Sequence, residues 1–427
     1  MKRSVSRFPQ VLAILSLAIL ATASALAQTV TILHDFPATA DDGNLPWSPL
    51  IFDDQDNLYG VTRYGGNDLG AAGPGKGIIY EISASGDETI LHAFNGPDGD
   101  GVNPLGPIVR FHGSLYGTTL GGSTNRKCTV HGGCGTIYRL TNGKITILHS
   151  FTSLEGTSPA GVARDSSGNL FGATLYGGVG TPTPACPSQG CGTIFQYSQR
   201  KESVLYTFLG QPDGETPNGE LLLDSAGNIF GTTRFGGAFN HGTVFELAPK
   251  GDGTWTENLL YSFRGDTDGS EPYGGVVMDA KGDLYGTTFS GGLRSNCGFQ
   301  KRKLGCGAIY KMVRNTDGSW SERSVYLFGG KDVDGIFPIG DLVIDKQGNL
   351  YGVTNAAIGS ISGNFVWSTA FELTTDGTEI LVATFMHDGT TGFWPVSGLT
   401  LGASGNLYGT TTEGSANGYG TVFKITP

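Results

Sequence analysis

Three histidines, His34, His92 and His149, each stand two residues before a phenylalanine. Carboxylates recur as an acid-Gly-x-x-Pro phrase: Asp42-Gly43, Asp100-Gly101, Glu155-Gly156, Asp213-Gly214, Asp268-Gly269 and Asp334-Gly335, followed by Pro46, Pro104, Pro159, Pro217, Pro272 and Pro338. Imidazoles and carboxylates are the groups of acid–base catalysis and of metal sites. The later repeats, however, place Tyr206, Tyr261 and Tyr326 where the histidines stand. The three are one structural position on successive units, too far apart to share a substrate. Three acid phrases widen to Asp-x-Asp-Gly, but the bidentate Glu that ends a calcium loop is missing. Turn formation is their main reading, with weak Ca²⁺ binding as the lesser one. Asp341 and Glu220 fall near inner-strand starts, where they could join a channel-centred site; their simpler reading is solvated loop carboxylates. No nucleophile elbow, zincin helix, phosphate loop or carboxylate pair on a shared element occurs.

The six cysteines form local pairs, Cys128/Cys134, Cys186/Cys191 and Cys297/Cys306, and the second of each stands in Gly-Cys-Gly-(Thr/Ala)-Ile-(Tyr/Phe). An even count with repeated placement points to three disulfides within loops. No metal site is expected of them, because each loop supplies two sulfurs and structural zinc takes four ligands. Binding chemistry is expected instead of aromatics near the loops. Tyr64, Tyr176 and Phe235 follow a repeated Thr, Arg63 and Arg234 stand beside two of them, and Phe365 and Trp367 lie in an atypical sixth loop. Such rings suit stacking on sugars; the competing use is packing at the bases of Gly-rich loops.

What positions these groups is a repeat. Leu58-Tyr59-Gly60 recurs with variations at Leu115, Leu170, Ile229, Leu284, Leu350 and Leu407, after 57, 55, 59, 55, 66 and 57 residues. Self-similarity at this period means stacked supersecondary units. Residues 203–248 hold four short strand-like segments between turn signals, the unit of a four-stranded meander. Leu221-Leu222-Leu223 is apolar on both faces, as expected of a strand in a sheet packed between two others. Seven such sheets make a seven-bladed β-propeller of four-stranded blades, an all-β fold. The chain opens on an outer strand, Thr31 to Phe36, and ends on a third strand, Thr421 to Ile425, so three-plus-one closure by the N-terminal strand is expected. Tight turns such as Asp224-Ser-Ala-Gly227-Asn228 join the first two strands, and the long variable loops emerge together on the opposite face. The Gly inside the Leu-Tyr-Gly strand implies close approach of another group, expected to be an aromatic of the adjacent blade.

Residues 1–27 carry Lys2, Arg3 and Arg7, an apolar run from Val11 to Leu20, and Ala25-Leu26-Ala27, the pattern of a signal peptide. The remaining 28–427 read as one propeller domain. Without the three leader cations the formal charge moves from −11 to −14, which disfavours nucleic acid and anionic membranes. No second apolar run is long enough to span a bilayer.

Asn406-Leu407-Tyr408-Gly409-Thr410-Thr411 and Gly418-Tyr419-Gly420-Thr421-Val422-Phe423-Lys424-Ile425 resemble the GloVer-type tandem repeat of exported bacterial proteins, over essentially the whole mature chain. The resemblance implies a bacterial source and export, and brings no catalytic residue set. No C-terminal anchor segment is seen, so release is expected over surface attachment. The expectation is an extracellular or periplasmic monomer without a cofactor, non-catalytic, presenting a disulfide-braced loop face to a carbohydrate or a cell-envelope or extracellular protein. The alternative is a channel-centred hydrolase, lyase or lactonase, metal-assisted or not.

Overall fold

The computed structural model describes residues 28–426 apart from 38, 40, 67–74, 97–98, 123–127, 129–131, 180–185, 187–188, 294–296, 298–304, 330–334, 358–366 and 415–416. The expected leader, Asp334 and Phe365 lie outside the described residues. Seven antiparallel sheets are present, and every named element among the described residues is a strand. Blade 4 shows the plan: Gly214–Leu223, Ile229–Gly236, Thr243–Pro249 and Trp255–Ser262 pair in that order from the axis outward. Blade 7 takes Phe393–Pro395, Thr400–Leu401, Leu407–Glu413 and Thr421–Thr426 from the end of the chain and is completed by Thr29–Asp35 from its start, with Val30 opposite Ile425. The molecule is therefore a seven-bladed β-propeller with the expected three-plus-one closure.

The repeated residues are explained by what they touch. A Cβ on the Gly of each Leu-Tyr-Gly strand would fall 2.3–2.6 Å from the ring of Tyr80, Tyr138, Phe195, Phe245, Tyr310, Phe371 or Phe423. These rings come from the third strand of the same blade, directly opposite the glycine in the antiparallel register. The expectation of a ring from the adjacent blade is corrected, since the cross-strand neighbour already fills the space. Adjacent blades meet one layer further out. The Phe ending each outer strand packs on that same ring of the following blade: Phe36 on Tyr80, Phe94 on Tyr138, Phe151 on Phe195, Phe208 on Phe245, Phe263 on Tyr310, Phe328 on Phe371 and Phe385 on Phe423, with centroids 4.7–5.3 Å apart. Such pairs add about 0.5–1.5 kcal/mol each beyond area burial. The Phe36–Tyr80 contact closes the ring.

The innermost strand departs from the sequence reading. In blades 1–4 and 6 it begins at or just after the acid-Gly phrase, which reads as a connecting loop, in blade 5 it is Val277–Met278 alone, and in four blades it is split into two segments. In blades 4 and 6 the register shifts between Asn218 and Leu222 and between Ile339 and Val343. The backbone is also left-handed just before each repeat proline. Leu45, Asn103, Ser158, Thr216, Glu271, Phe337 and Trp394 all have φ of 55–59°, a conformation uncommon outside glycine. Six of them donate their backbone N–H to a carbonyl of the preceding blade, at 2.8–3.1 Å: those of Tyr419, Lys76, Cys134, Cys191, His241 and Cys306. The strain, about 1–3 kcal/mol for each residue, is held in place by that staple and by the proline, which rests on the Gly preceding the neighbouring third strand, for example Pro217 on Gly192.

Candidate ligand-binding site at the channel mouth

The residue after each repeat proline is where the repeat stops repeating. Trp47, Leu105, Ala160, Asn218, Tyr273, Ile339 and Val396 come from seven blades, and all seven line one cavity of ≈ 240 Å³ at the axis. Arg63, Tyr176 and Arg234 join them from the ends of second strands, on the side of the long loops. Glu220 and Asp341 form the floor. A second cavity, ≈ 530 Å³, opens toward the hairpin turns and is lined by Phe52, Val109, Arg110, Arg164, Leu222 and Val277, among others. Glu220 and Asp341 are the residues the two cavities share, so they stand where the channel narrows.

Both acids sit in the bulges of their strands, which turn the side chains inward. Asp341 Oδ1 accepts the backbone N–H of Gly275 and, at 3.3 Å, that of Glu220, tying blades 4, 5 and 6 together. Gly275 has no side chain to compete, and a Cβ there would strike the Glu220 carbonyl. The Glu220 side chain is open to channel water yet ringed by protein. Burial pushes it up to about 8, with the Asp341 charge adding to the effect. Burial also raises Asp341, against the pull of its two amide donors. Around the wall, the Arg234 guanidinium lies 4.2 Å from the Tyr273 ring centroid and 4.6 Å from that of Phe235 and pairs with Glu271 at 3.0 Å. Arg63 stands 5.5 Å from Trp47 and 5.4 Å from Tyr64. Asn218 donates to the Tyr273 carbonyl at 2.7 Å, which leaves its own side-chain oxygen free to accept. Rings, guanidinium cations and two neighbouring carboxyls thus converge on a recess of small-molecule size.

The model of the Gloeobacter/Verrucomicrobia repeat matches residues 128–301 and 185–366, together more than half of the sequence. The chain belongs to this repeat family. No curated protein matches it. Among solved structures, the surface component PorZ of the type-IX secretion system of Porphyromonas gingivalis is similar with a TM-score of 0.51 and 15% identity, over 92% of this chain and 47% of that one. This chain thus spans about half the length of PorZ, and the likeness concerns the fold. A luciferin-regenerating enzyme (13% identity, 94% and 95% covered, TM-score 0.44) and a gluconolactonase from Xanthomonas campestris (14%, 68% and 78%, 0.39) are more distant in shape.

In this Gloeobacter/Verrucomicrobia repeat protein, Arg63, Tyr176 and Arg234 of the sequence-derived set line the mouth. Tyr64 and Phe235 lie outside it, against the guanidiniums of Arg63 and Arg234. Trp367 opens the third strand of blade 6 opposite Met386 and does not reach the cavity. Glu220 and Asp341 line the channel; they lie within strands and not in loops, so that part of the expectation is corrected, while Glu220 remains exposed, toward the channel. Trp47, Asn218 and Tyr273 were not singled out by sequence, although the position after the repeat proline marks all three. The histidines are on outer strands, and each lies beside the acid of the following entry phrase, as in the 2.6 Å contact of His92 with Asp100. That acid serves its turn: Asp100, Asp213 and Asp268 accept the backbone N–H of Asn95, Leu209 and Arg264. The three cysteine pairs are disulfides, with Cα–Cα distances of 5.1, 5.5 and 5.1 Å. The carbonyls of Cys134, Cys191 and Cys306 are the acceptors that hold Ser158, Thr216 and Phe337, so these loops brace the strand that aims the mouth residues.

Proposed function

We propose that the protein is an exported, non-catalytic propeller that binds the terminal residue of a glycan in the loop-side mouth of its channel. The observation that carries this reading is the ring of seven post-proline residues, a position where a regular frame varies its side chains and which lines one cavity. Trp47, Tyr176 and Tyr273 supply faces for the apolar side of a sugar ring, while Asn218, Glu220 and Asp341 supply partners for hydroxyls. The recess is smaller than the roughly 300–1,000 Å³ usual for drug-sized ligands, which suits one sugar residue. A protein partner would bury about 1,200–2,000 Å² in all, and a mouth of this size offers little of that. Export is supported by the composition of residues 1–27 and by the disulfides, which persist outside reducing compartments. The periplasm and the cell exterior both fit. A glycan array probed with the chain from Gln28 onward tests this. Binding to a restricted set of glycans is expected, and silence across the array sinks the proposal.

One observation favours a second reading, a channel-centred hydrolase or lactonase. Two carboxyl groups meet where the channel narrows, and burial pushes one of them, Glu220, up to about 8, the kind of pair that can serve acid–base chemistry; Asn218 lines the same cavity. The binding reading ranks first because Asp341 Oδ1 is already engaged by two backbone amides. Turnover of lactones or aryl glycosides that disappears in Glu220→Gln would reverse that order.

A further inference from the structure

His34, Asp42 and Glu88 meet at the seam where the ring closes. His34 lies on Thr29–Asp35, the outer strand of blade 7, Asp42 at the entry to blade 1, and Glu88 on that blade's outer strand, Glu88–Ala93. One ligand atom from each falls within 4.8 Å of the others. His34 Nε2 is 3.8 Å from Asp42 Oδ2 and 3.5 Å from Glu88 Oε2. These separations are long for hydrogen bonds but near the ~3.4 Å between ligand atoms around a tetrahedral ion with bonds of about 2.1 Å. The same positions between blades 2 and 3 bring together His149, Glu155 and Glu202, again within 4.8 Å, with His149 Nε2 3.3 Å from Glu155 Oε2. Each cluster keeps at least one buried polar atom unpartnered, although His149 and Glu155 are within hydrogen-bond reach of each other. His34 Nε2, Glu88 Oε1 and Glu202 Oε1 are buried without a hydrogen-bond partner, and Glu202 is only 9% exposed.

The other repeats act as controls inside the same molecule. Ile145 stands in blade 2 where Glu88 and Glu202 stand in blades 1 and 3, each across from the corresponding third-strand residue. There His92 closes directly on Asp100, at 2.6 Å. In blades 3 and 4 the histidine is replaced by Tyr206 and Tyr261, whose hydroxyls donate to Asp213 and Asp268 at 3.1 and 2.9 Å. Glutamates stand at the same outer-strand position in blades 4 and 5, Glu257 and Glu322, but beside tyrosine, so that among the described residues His, acid and Glu coincide at the two clusters alone.

We propose that His34, Asp42 and Glu88, and equally His149, Glu155 and Glu202, each bind a divalent first-row cation of the Zn²⁺ type, with a fourth position left for water. An imidazole among few ligands suits Zn²⁺, whereas Ca²⁺ takes six to eight oxygens. The first site clips the N-terminal strand to blade 1 and the second clips blade 2 to blade 3. Both lie on outer strands, away from the channel, and this proposal is independent of the ligand bound there.

The test uses the chain from Gln28 without a polyhistidine tag, stripped with EDTA, titrated calorimetrically with zinc sulfate and assayed for bound zinc after dialysis. Two equivalents are expected, one for each cluster, with a rise in Tm. His34→Tyr and His149→Tyr should each lose one equivalent, and the double variant both. Tyrosine is native at this position in blades 3 and 4, so folding should survive, as circular dichroism would show. Glu88→Gln and Glu202→Gln provide a second pair should either Tyr variant misfold. No bound zinc, or undiminished binding in both double variants, would overturn the assignment.

Discussion

Gly286 and Trp47 show two kinds of residue in this chain. Gly286 belongs to the frame, and a Cβ there would lie 2.3 Å from the Tyr310 hydroxyl. Gly286→Ala should therefore lower stability by about 1–3 kcal/mol, the usual cost of overpacking, measured by urea denaturation. An unchanged midpoint would show that the ring moves aside freely. That such a glycine accommodates a close neighbour was legible in the sequence. Which ring approaches was not, since cross-strand and cross-blade neighbours share the same spacing pattern. Trp47 is the opposite case. The repeat makes its position visible, but only the left-handed residue before the proline and the staple behind it turn that position toward the axis. Glu220 is a further test at this scale. Its carboxyl should titrate near 8 by NMR, and Asp341→Asn should lower that value by removing the neighbouring charge. A Glu220 signal titrating in the ordinary carboxylate range would contradict the enclosure described for it.

At the scale of elements, the disulfide loops do more than hold a face together. Cys134 carries the carbonyl that accepts the Ser158 N–H, and Ser158 precedes the proline that sets Ala160 in the mouth. Replacing Cys128 and Cys134 by Ser should cost about 2–3 kcal/mol on the chain-entropy scale, and hydrogen exchange at the Ser158 amide should rise above that of Leu45, whose staple has no disulfide behind it. Equal exchange at the two amides in that variant would mean that the loop does not brace the strand. The pairing of the cysteines followed from their spacing and placement. Their purpose did not, because the acid-Gly-x-x-Pro phrase reads as a turn, whereas it pairs with the second strand of its own blade and is stapled to the preceding blade, a register no local pattern encodes.

For the whole molecule, closure by the N-terminal strand was readable because the two chain ends supply complementary parts of one blade. The titration of the rim was not, because it depends on which outer strands face one another. Glu257 faces Asp213 and Tyr206, and Glu322 faces Asp268, Tyr261 and Arg264; burial first, then the neighbouring acid, pushes each up to about 7 from 4.5. The folded state holds these protons where the unfolded chain has released them, so their contribution to stability is full below about 4.5 and is lost as pH rises to about 7. In EDTA, Tm should be higher at about pH 5 than at about pH 8, and Glu257→Gln with Glu322→Gln should flatten the difference. A Tm that rises across that interval would show the sign to be wrong. The measurement that bears most directly on function is calorimetric titration of the best glycan from the array into the wild type and into Trp47→Ala, Tyr273→Ala and Trp367→Ala. Binding at the mouth predicts at least about a tenfold loss, roughly 1.4 kcal/mol, for the first two variants with unchanged Tm, and wild-type affinity for the third. Full affinity in Trp47→Ala and Tyr273→Ala, or loss confined to Trp367→Ala, would contradict it and move the site to the outer loops.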